Sequence, residues 1–207
     1  MEHASEQKSK WNLTDHLRGV FKGILDPIGA FLNRLGLYPN TMTILGLIGN
    51  TIGAIYLSLG HMTIGGVLIL LMGPVDALDG TMARLRGMAG EFGAFVDSVT
   101  DRYSELVIFG GLIYYYVGQQ DAMATILVFA AAAGSVLVSY VRARASSLGV
   151  ETKVGLLTRM ERYLVLVPAL VFDRPLWGLW VIAILANITA LQRIYDVRKQ
   201  MVNPGKK

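Results

Sequence analysis

The sequence predicts an all-helical integral membrane protein, in which an N-terminal interfacial amphipathic helix precedes a bundle of six transmembrane helices. Two features of the composition support this fold class, since 53% of the 207 residues are hydrophobic and only 16% are charged. Soluble domains carry about a quarter charged residues. The third observation is that apolar residues occur in runs near the roughly 20 residues that cross a hydrocarbon core. An ordinary soluble domain is therefore excluded.

The first helix is predicted between Trp11 and Leu35 and has an apolar and a charged face. Its apolar residues recur at helical spacing: Leu13, Leu17, Val20, Phe21, Ile24, Leu25, Ile28 and Leu32. This pattern is typical of a helix that lies in the membrane interface, because no soluble core follows on which it could pack. The Pro39-Asn40 turn ends the helix, and we expect Asn40 or Thr41 to cap the next one.

Six hydrophobic segments follow this turn, and we expect each to be a transmembrane helix. Their approximate bounds are 40–59, 63–84, 91–117, 123–145, 157–172 and 176–195. The chain accordingly divides into an N-terminal part with the interfacial helix (1–38), a six-helix transmembrane domain (39–199) and a short tail (200–207).

The distribution of basic residues predicts the orientation in the membrane. Of the 19 Lys and Arg residues, only Arg174 lies in the short loops after the first, third and fifth segments. The others lie on the opposite side, and cytoplasmic loops are enriched in Lys and Arg. We therefore expect a multi-pass protein of the cell membrane with both termini in the cytoplasm.

Charge and cysteine content exclude several other classes of protein. The net charge is +4, but the basic residues are spread thinly between apolar segments, which disfavours a nucleic-acid partner. The chain has no cysteine. Disulfides, Cys-based zinc sites, iron–sulfur clusters and thiol nucleophiles are thereby excluded.

Four carboxylates lie in or beside two consecutive apolar segments: Asp76, Asp79, Asp97 and Asp101. Each ionised carboxylate inside the membrane costs about 3 kcal/mol, so the group requires compensation. Residues three or four apart share a helix face. The loop 85–90 is short, and we expect the two helices to be antiparallel neighbours whose acidic faces converge near the cytoplasmic end. Converging oxygen ligands without Cys or nearby His favour Mg²⁺ or Mn²⁺.

Small residues surround these acids, among them Gly80, Ala83 and Gly93. Close helix packing explains such residues in any membrane bundle. Beside an acidic metal site they also leave room for the phosphates and base of a ligand. Arg84 either pairs with a phosphate of that ligand or anchors a helix end at the interface.

Together these residues form the pattern D-x-x-D-G-x-x-A-R-x8-G-x-x-x-D-x-x-x-D between Asp76 and Asp101. At all eight specified positions the pattern resembles the signature of the CDP-alcohol phosphatidyltransferase family, integral membrane enzymes that make phospholipids. Eight positions at fixed spacing are far more specific than a single glycine motif. The resemblance also covers the N-terminal helix, the Pro39-Asn40 turn and the six spans.

The resemblance implies a reaction and a role for each residue. The metal, Mg²⁺ or Mn²⁺, is expected on the diphosphate of a CDP-diacylglycerol-type lipid, held by Asp76, Asp79, Asp97 and Asp101. Asp101 is also expected to be catalytic and to deprotonate the acceptor hydroxyl, which attacks the β-phosphorus while CMP leaves. The implied contacts of the CDP-lipid are Asn40, Thr43, Asp76, Asp79, Gly80, Ala83, Arg84 and Gly93. The family resemblance further implies that the protein is a homodimer and that it contacts membrane lipids.

A second basic group on the cytoplasmic side bears on the acceptor: Arg142, Arg144, Lys153, Arg159, Arg162 and Arg193. Arginines suit an acceptor that carries a phosphate, although the positive-inside rule explains any single one. Around 97–105, 139–145 and 159–162 the sequence most resembles the prokaryotic phosphatidylinositol phosphate synthases. This resemblance implies inositol 1-phosphate as acceptor, bound through Arg142, Arg159 and Arg193. Arg142 stands where those bacterial enzymes usually have Lys, which preserves the charge.

Two alternatives stay open at this level. Glycerol 3-phosphate is the acceptor in a related branch, which typically has Pro and Lys around the last motif Asp, where this chain has Val99 and Arg102. A cation-coupled or proton-coupled transporter also uses intramembrane carboxylates. The framing by Gly80, Ala83 and Arg84, and a position near one interface, disfavour the transporter.

Overall fold

The structure, a computed structural model, describes residues 13–88 and 90–202, and these residues form seven α-helices without a β-strand. The helices are α1 (Leu13–Arg34), α2 (Pro39–Ser58), α3 (Met62–Leu85), α4 (Glu91–Gly118), α5 (Ala122–Ser147), α6 (Arg159–Val171) and α7 (Pro175–Val202). The predicted all-helical class is confirmed. The predicted start of the first helix at Trp11, the residues before it and the end of the tail at 203–207 lie outside the described residues.

The predicted helix bounds agree with the structure to within a few residues, with one exception. The last predicted segment ends at residue 195, whereas α7 continues to Val202 and so passes the predicted domain boundary at 199. The added turns carry Arg198, Lys199 and Gln200. Such residues are good helix formers but are polar. A prediction based on hydropathy alone therefore places the end of this helix too early.

Four helices of the described chain are long and apolar enough to cross a membrane, namely α2, α3, α5 and α7. Helix α4 has 28 residues but carries the charged residues Glu91, Asp97, Asp101, Arg102 and Glu105. Helix α6 has 13 residues, which corresponds to a length of about 20 Å. By length and composition, residues 13–88 and 90–202 thus contain four candidate spans.

Helix α2 begins with a proline and has no side-chain cap. Tyr38 is extended and occupies the N-cap position, and Pro39 follows at the first helical position. The prediction that Asn40 or Thr41 caps this helix is wrong, because both lie inside its first turn. Proline favours the first position because its φ is fixed near the helical value and it lacks an N–H group that would be unsatisfied there.

Helix α2 packs against both α3 and α4. A Cβ on Gly53 would lie 2.8 Å from the Ile69 side chain, and one on Gly111 would lie 2.3 Å from the carbonyl oxygen of Ala54. Helices α3 and α4 are joined mainly through α2, so the prediction that they pack as direct neighbours is wrong for most of their length. Gly53 of α2 allows the close contact with α3, and Gly111 of α4 allows the close contact with α2. The short loop 86–90 keeps the end of α3 near the start of α4.

Two clusters of buried side chains hold the bundle. The larger cluster contains residues from each of the six helices α2 to α7. Its fully buried members include Leu57, Ile69, Leu112, Val128, Leu170, Leu179 and Ile182. The smaller cluster joins α1, α2 and the end of α3 through Leu25, Met42, Leu78 and Met82. Helix α1 is thereby fixed against the turn of α3 that carries two of the motif aspartates.

Gly111→Ala is expected to destabilise the protein, because the new methyl group would collide with the Ala54 carbonyl of α2. Overpacking of this kind costs about 1–3 kcal/mol. The adjacent Gly110 is the matched control, since a Cβ there meets no described atom within 4 Å. Thermal unfolding of the purified variants, followed by tryptophan fluorescence, measures the difference. Equal midpoints for the two variants would contradict the close α2–α4 contact.

Candidate active site

Three of the predicted metal ligands converge at one place. Asp76 of α3 and Asp97 and Asp101 of α4 each offer a carboxylate oxygen, and these three oxygens lie within 4.8 Å of one another. Asp101 is buried, with 7% of its surface exposed, while the other two are half-buried. The predicted convergence of acidic faces is therefore present for these three residues.

The fourth motif acid, Asp79, is buried beside this group and is held by α2. The Thr43 hydroxyl donates a hydrogen bond to Asp79 Oδ2 at 2.6 Å, and the backbone N–H of Gly80 donates to Oδ1 at 2.5 Å. Thr43 and Gly80 were both predicted to contribute to the site. In the structure they fix the orientation of a carboxylate, one helical turn beyond Asp76.

Arg159, the first residue of α6, lies between two of the acids. Its Nη2 is 2.9 Å from Asp76 Oδ2 and 2.5 Å from Asp101 Oδ1, and 45% of the side chain is exposed. Arg102 approaches the same acid from α4, with Nη1 3.3 Å from Asp101 Oδ2. Two guanidinium groups thus offset part of the negative charge that the three carboxylates concentrate.

The local sequence explains why α6 begins where it does. Thr158 and Glu161 form a capping box, in which the Glu161 carboxylate accepts from the Thr158 backbone N–H at 2.9 Å and from its hydroxyl. This is the T-x-x-E pattern of a helix start. A cation in the first turn of a helix interacts unfavourably with the helix dipole. The ion pairs of Arg159 with carboxylates of α3 and α4 offset this cost.

A buried ion pair fixes the same end of α6 to α4. Arg162 Nε donates to Glu105 Oε1 at 2.7 Å, and its Nη2 donates to Oε2 at 3.1 Å. Arg162 is 2% exposed. The sequence analysis did not assign this pair. Helical spacing places each residue on the same helix face as a site residue, since Glu105 is one turn beyond Asp101 and Arg162 is one turn beyond Arg159, but it does not pair the two.

Helix α7 holds the loop that leads into α6. The Thr189 hydroxyl oxygen accepts hydrogen bonds from the backbone N–H groups of Leu156 and Leu157, both at 3.1 Å. Gly155 has a φ of 136°, and a Cβ there would lie 2.3 Å from the Thr189 methyl group. Only glycine fits this close approach without strain. The position of Arg159 therefore depends on α7 as well.

The three arginines predicted to bind the acceptor phosphate have different surroundings. Arg159 contacts the acids, as described above. Arg193 is 3% exposed and donates to the carbonyl oxygens of Val154 at 2.9 Å and Val138 at 2.7 Å. Arg142 is exposed on α5, one turn beyond Val138. Among the described residues, these three guanidinium groups therefore share no common partner.

The residues predicted to contact the nucleotide border open space. A Cβ on Gly80 or on Gly93 would meet no atom of the described residues within 4 Å. Asn40 and Arg84 are exposed, and Ala83 is partly exposed. The space beside these residues is therefore available to a ligand next to the carboxylates.

The donor set at this place fits a hard divalent cation. It consists of carboxylate oxygens from two helices, without sulfur or imidazole ligands among the described residues. Asp101 Oδ1 is buried, and its neighbour among the described residues is the Arg159 guanidinium, with which it forms an ion pair. Mg²⁺ and Mn²⁺ prefer such oxygen ligands. The acidic cluster between α3 and α4 is thus a candidate divalent-metal site in a helical protein with candidate membrane spans.

The sequence matches the family model of the CDP-alcohol phosphatidyltransferases over residues 36–192. The chain therefore belongs to the CDP-alcohol phosphatidyltransferase family. It is similar to a phosphatidylinositol phosphate synthase of Streptomyces avermitilis, with 35% identity over 205 residues, 91% of this chain and 83% of the relative. It is also similar to an archaetidylinositol phosphate synthase of Pyrococcus horikoshii, with 33% identity over 186 residues, 89% of this chain and 96% of the relative.

Solved structures of a Mycobacterium tuberculosis phosphatidylinositol phosphate synthase have a similar fold. The structure with CDP-DAG bound aligns with a TM-score of 0.78 and 31% identity, covering 84% of this chain and 93% of that chain. The complex with manganese and citrate aligns with a TM-score of 0.79 and 30% identity, covering 84% of this chain and 88% of that chain. The predicted family, the class of enzyme and the use of a divalent metal are thus confirmed.

Glu105→Gln is expected to destabilise the protein strongly, because it leaves the Arg162 charge buried without a counterion. Breaking a buried pair in this way costs about 3–5 kcal/mol. Replacing both partners, as in Glu105→Leu with Arg162→Met, is expected to cost much less, since no buried charge is left. A double-mutant cycle on unfolding free energies measures this coupling.

The surface pair of Glu151 and Lys153 is the control for this prediction. Its Nζ and Oε2 atoms are 3.0 Å apart, and the side chains are 80% and 73% exposed. The hydrogen bond and charge of Lys153 lower the pKa of the Glu151 carboxyl. Exposed ion pairs are screened by solvent and contribute little to stability, so Glu151→Gln is expected to change the unfolding free energy little. A Glu105→Gln effect as small as that control would contradict the structural role of the buried pair.

Proposed function

We propose that the protein transfers a phosphatidyl group from a CDP-diacylglycerol-type lipid to inositol 1-phosphate and releases CMP. The observation that carries this proposal is the contact of the Arg159 guanidinium with Asp76 and Asp101, inside the acidic cluster. An arginine, whose guanidinium suits a phosphate, thereby lies beside the candidate metal site. The similarity to phosphatidylinositol phosphate synthases, one of them with CDP-DAG bound, supports this lipid and this acceptor.

The four motif acids are the proposed metal ligands, and Mg²⁺ is the proposed physiological ion with Mn²⁺ as a substitute. A divalent cation supplies Lewis-acid polarisation and charge neutralisation for a diphosphate. Asp79 is already oriented by Thr43 and Gly80. The open space beside Gly80 and Gly93 accommodates the CMP portion of the lipid, with the remaining contacts from Asn40, Ala83 and Arg84.

Asp101 is the proposed general base. Its carboxylate is buried and lies next to Arg159, so an acceptor phosphate on Arg159 brings the acceptor hydroxyl near Asp101. The hydroxyl oxygen forms a bond to the β-phosphorus while its proton passes to Asp101. The bond between that phosphorus and the CMP oxygen breaks, and CMP leaves with the electron pair. Positioning and charge stabilisation supply most of the catalysis in such transfers.

Arg142 and Arg193 are proposed to complete the acceptor site with Arg159. Arg193 uses two of its donors on the carbonyl groups of Val138 and Val154. A guanidinium has five N–H donors, so three remain for an acceptor phosphate. Arg142 adds a second positive charge from the neighbouring turn of α5.

The proposed membrane arrangement has six spans, α2 to α7, after an interfacial α1. The division into 1–38, 39–199 and 200–207 follows from it, with a continuous α7 crossing the last boundary. Its support is that Arg174 is the one Lys or Arg residue in the loops 59–61, 119–121 and 172–174. Both termini and the active site then face the cytoplasm of a cell membrane. A homodimer is proposed from the family resemblance.

With Mg²⁺ or Mn²⁺, the purified protein is expected to release CMP from CDP-diacylglycerol in the presence of inositol 1-phosphate. Removal of the metal by EDTA is expected to abolish CMP release. Asp101→Asn is expected to abolish CMP release and to retain appreciable CDP-lipid binding, because the proton acceptor is lost and three acidic ligands remain. Substantial turnover by this variant would remove Asp101 from the role of base. Release with glycerol 3-phosphate in place of inositol 1-phosphate would overturn the proposed acceptor.

Truncation of Arg142, Arg159 or Arg193 to Ala is expected to raise the acceptor KM about ten- to a hundredfold, because each change removes a charge-assisted contact of about 1.5–3 kcal/mol. CDP-lipid affinity is expected to stay nearly constant. Arg174→Ala, in a loop at the other end of the bundle, is the control. Free inositol is expected to be a poor acceptor, since it would leave the arginines unpaired. Equal use of both acceptors would contradict a phosphate pocket.

A further inference from the structure

Helix α3 contains a proline just before its first motif acid. Pro74 lies inside the helix, two residues before Asp76. A proline has no N–H group, so the carbonyl of the residue four positions earlier, Leu70, lacks its usual helical donor. A carbonyl left without a partner inside a bundle is costly, and in membrane helices neighbouring side chains usually satisfy it.

The hydroxyl group of Tyr163 supplies that partner from α6. It donates toward the carbonyl oxygens of Ile69 at 2.8 Å and Leu70 at 2.9 Å. The helices are close here, since a Cβ on Gly73 would lie 2.7 Å from the Tyr163 hydroxyl oxygen. The tyrosine therefore hydrogen-bonds to the interrupted turn of α3 itself.

The same face of α6 contacts α3 at a second level. Arg159, one turn before Tyr163, pairs with Asp76. The two contacts lie on either side of Pro74, because Leu70 precedes it and Asp76 follows it. Helix α6 therefore contacts α3 on both sides of the proline, at the carbonyl that precedes it and at the acid that follows it.

We propose that Tyr163 is a positioning residue for Asp76, and that it acts by satisfying the Leu70 carbonyl that Pro74 leaves free. The inference rests on the proposed function, in which Asp76 binds a divalent metal. Without the hydroxyl group, the turn before Asp76 must find water or another donor and shifts. The carboxylate then leaves the geometry in which it meets Asp97 and Asp101. Mutation of a residue that orients a metal ligand typically lowers metal affinity ten- to a hundredfold.

Tyr163→Phe tests this proposal in the purified full-length protein in nanodiscs. The Kd for Mn²⁺, measured by electron paramagnetic resonance, is expected to rise about tenfold. Tyr114→Phe is the matched control, because that side chain is 70% exposed. It is expected to leave the Kd unchanged. A role in stability alone would lower the unfolding midpoint and leave the Mn²⁺ affinity as it is, and that result would overturn the proposal.

Repeating the Tyr163→Phe measurement in a Pro74→Ala variant tests the mechanism by which Tyr163 acts. Pro74→Ala restores an N–H group to the helix and so gives the Leu70 carbonyl its own donor. In that background Tyr163→Phe is expected to change the Mn²⁺ Kd less than threefold. The same tenfold change in both backgrounds would overturn the link through Leu70.

Gly73→Ala provides the same test if Tyr163→Phe does not fold. The new Cβ would lie 2.7 Å from the Tyr163 hydroxyl oxygen and 3.1 Å from the ring carbon that carries it, so it would push the hydroxyl group away from Leu70. The Mn²⁺ Kd is again expected to rise about tenfold. An unchanged Kd in this variant would contradict the proposal. A wild-type protein that binds Mn²⁺ but releases no CMP would instead refute the proposed function and leave the Tyr163 measurement valid.

Discussion

The cost of placing carboxylates among apolar helices is the constraint on which this structure depends. Each ionised acid there costs about 3 kcal/mol without compensation. The protein meets this cost locally: Arg159 and Arg102 contact Asp101, and Thr43 and a backbone N–H hold Asp79. These contacts leave the cluster with excess negative charge and accessible from one end. That combination is suited to a divalent cation and a diphosphate.

The first turn of α6 connects the parts of this site. Arg159, Arg162 and Tyr163 share one helix face, and they contact two acids of the cluster, Glu105 of α4 and the interrupted turn of α3. A short helix with its own capping box is thereby fixed to both motif-bearing helices. Because Thr189 of α7 holds the preceding loop, the geometry of the carboxylates depends on the second half of the bundle, far from them in sequence.

Helical periodicity and the signature predicted the helices, their order and the convergence of Asp76 with Asp97 and Asp101, because these features depend on local spacing. The contacts that depend on tertiary packing could not be predicted in this way. Glu105 and Arg162 are 57 residues apart, and no local pattern pairs them. The same applies to α2, which lies between α3 and α4 through close contacts at Gly53 and at Gly111 of α4. It also applies to Tyr163, whose partner is a backbone carbonyl that carries no sequence signal beyond Pro74.

The central claim is that acids from α3 and α4 act together as one divalent-metal site. Titration of the purified protein with Mn²⁺, followed by the loss of the free-ion electron paramagnetic resonance signal, tests it most directly in wild type and Asp97→Asn. The account predicts saturable binding to the wild type, displaced by Mg²⁺, and a loss of at least tenfold in affinity in the variant. Equal Mn²⁺ binding by the two proteins would contradict it.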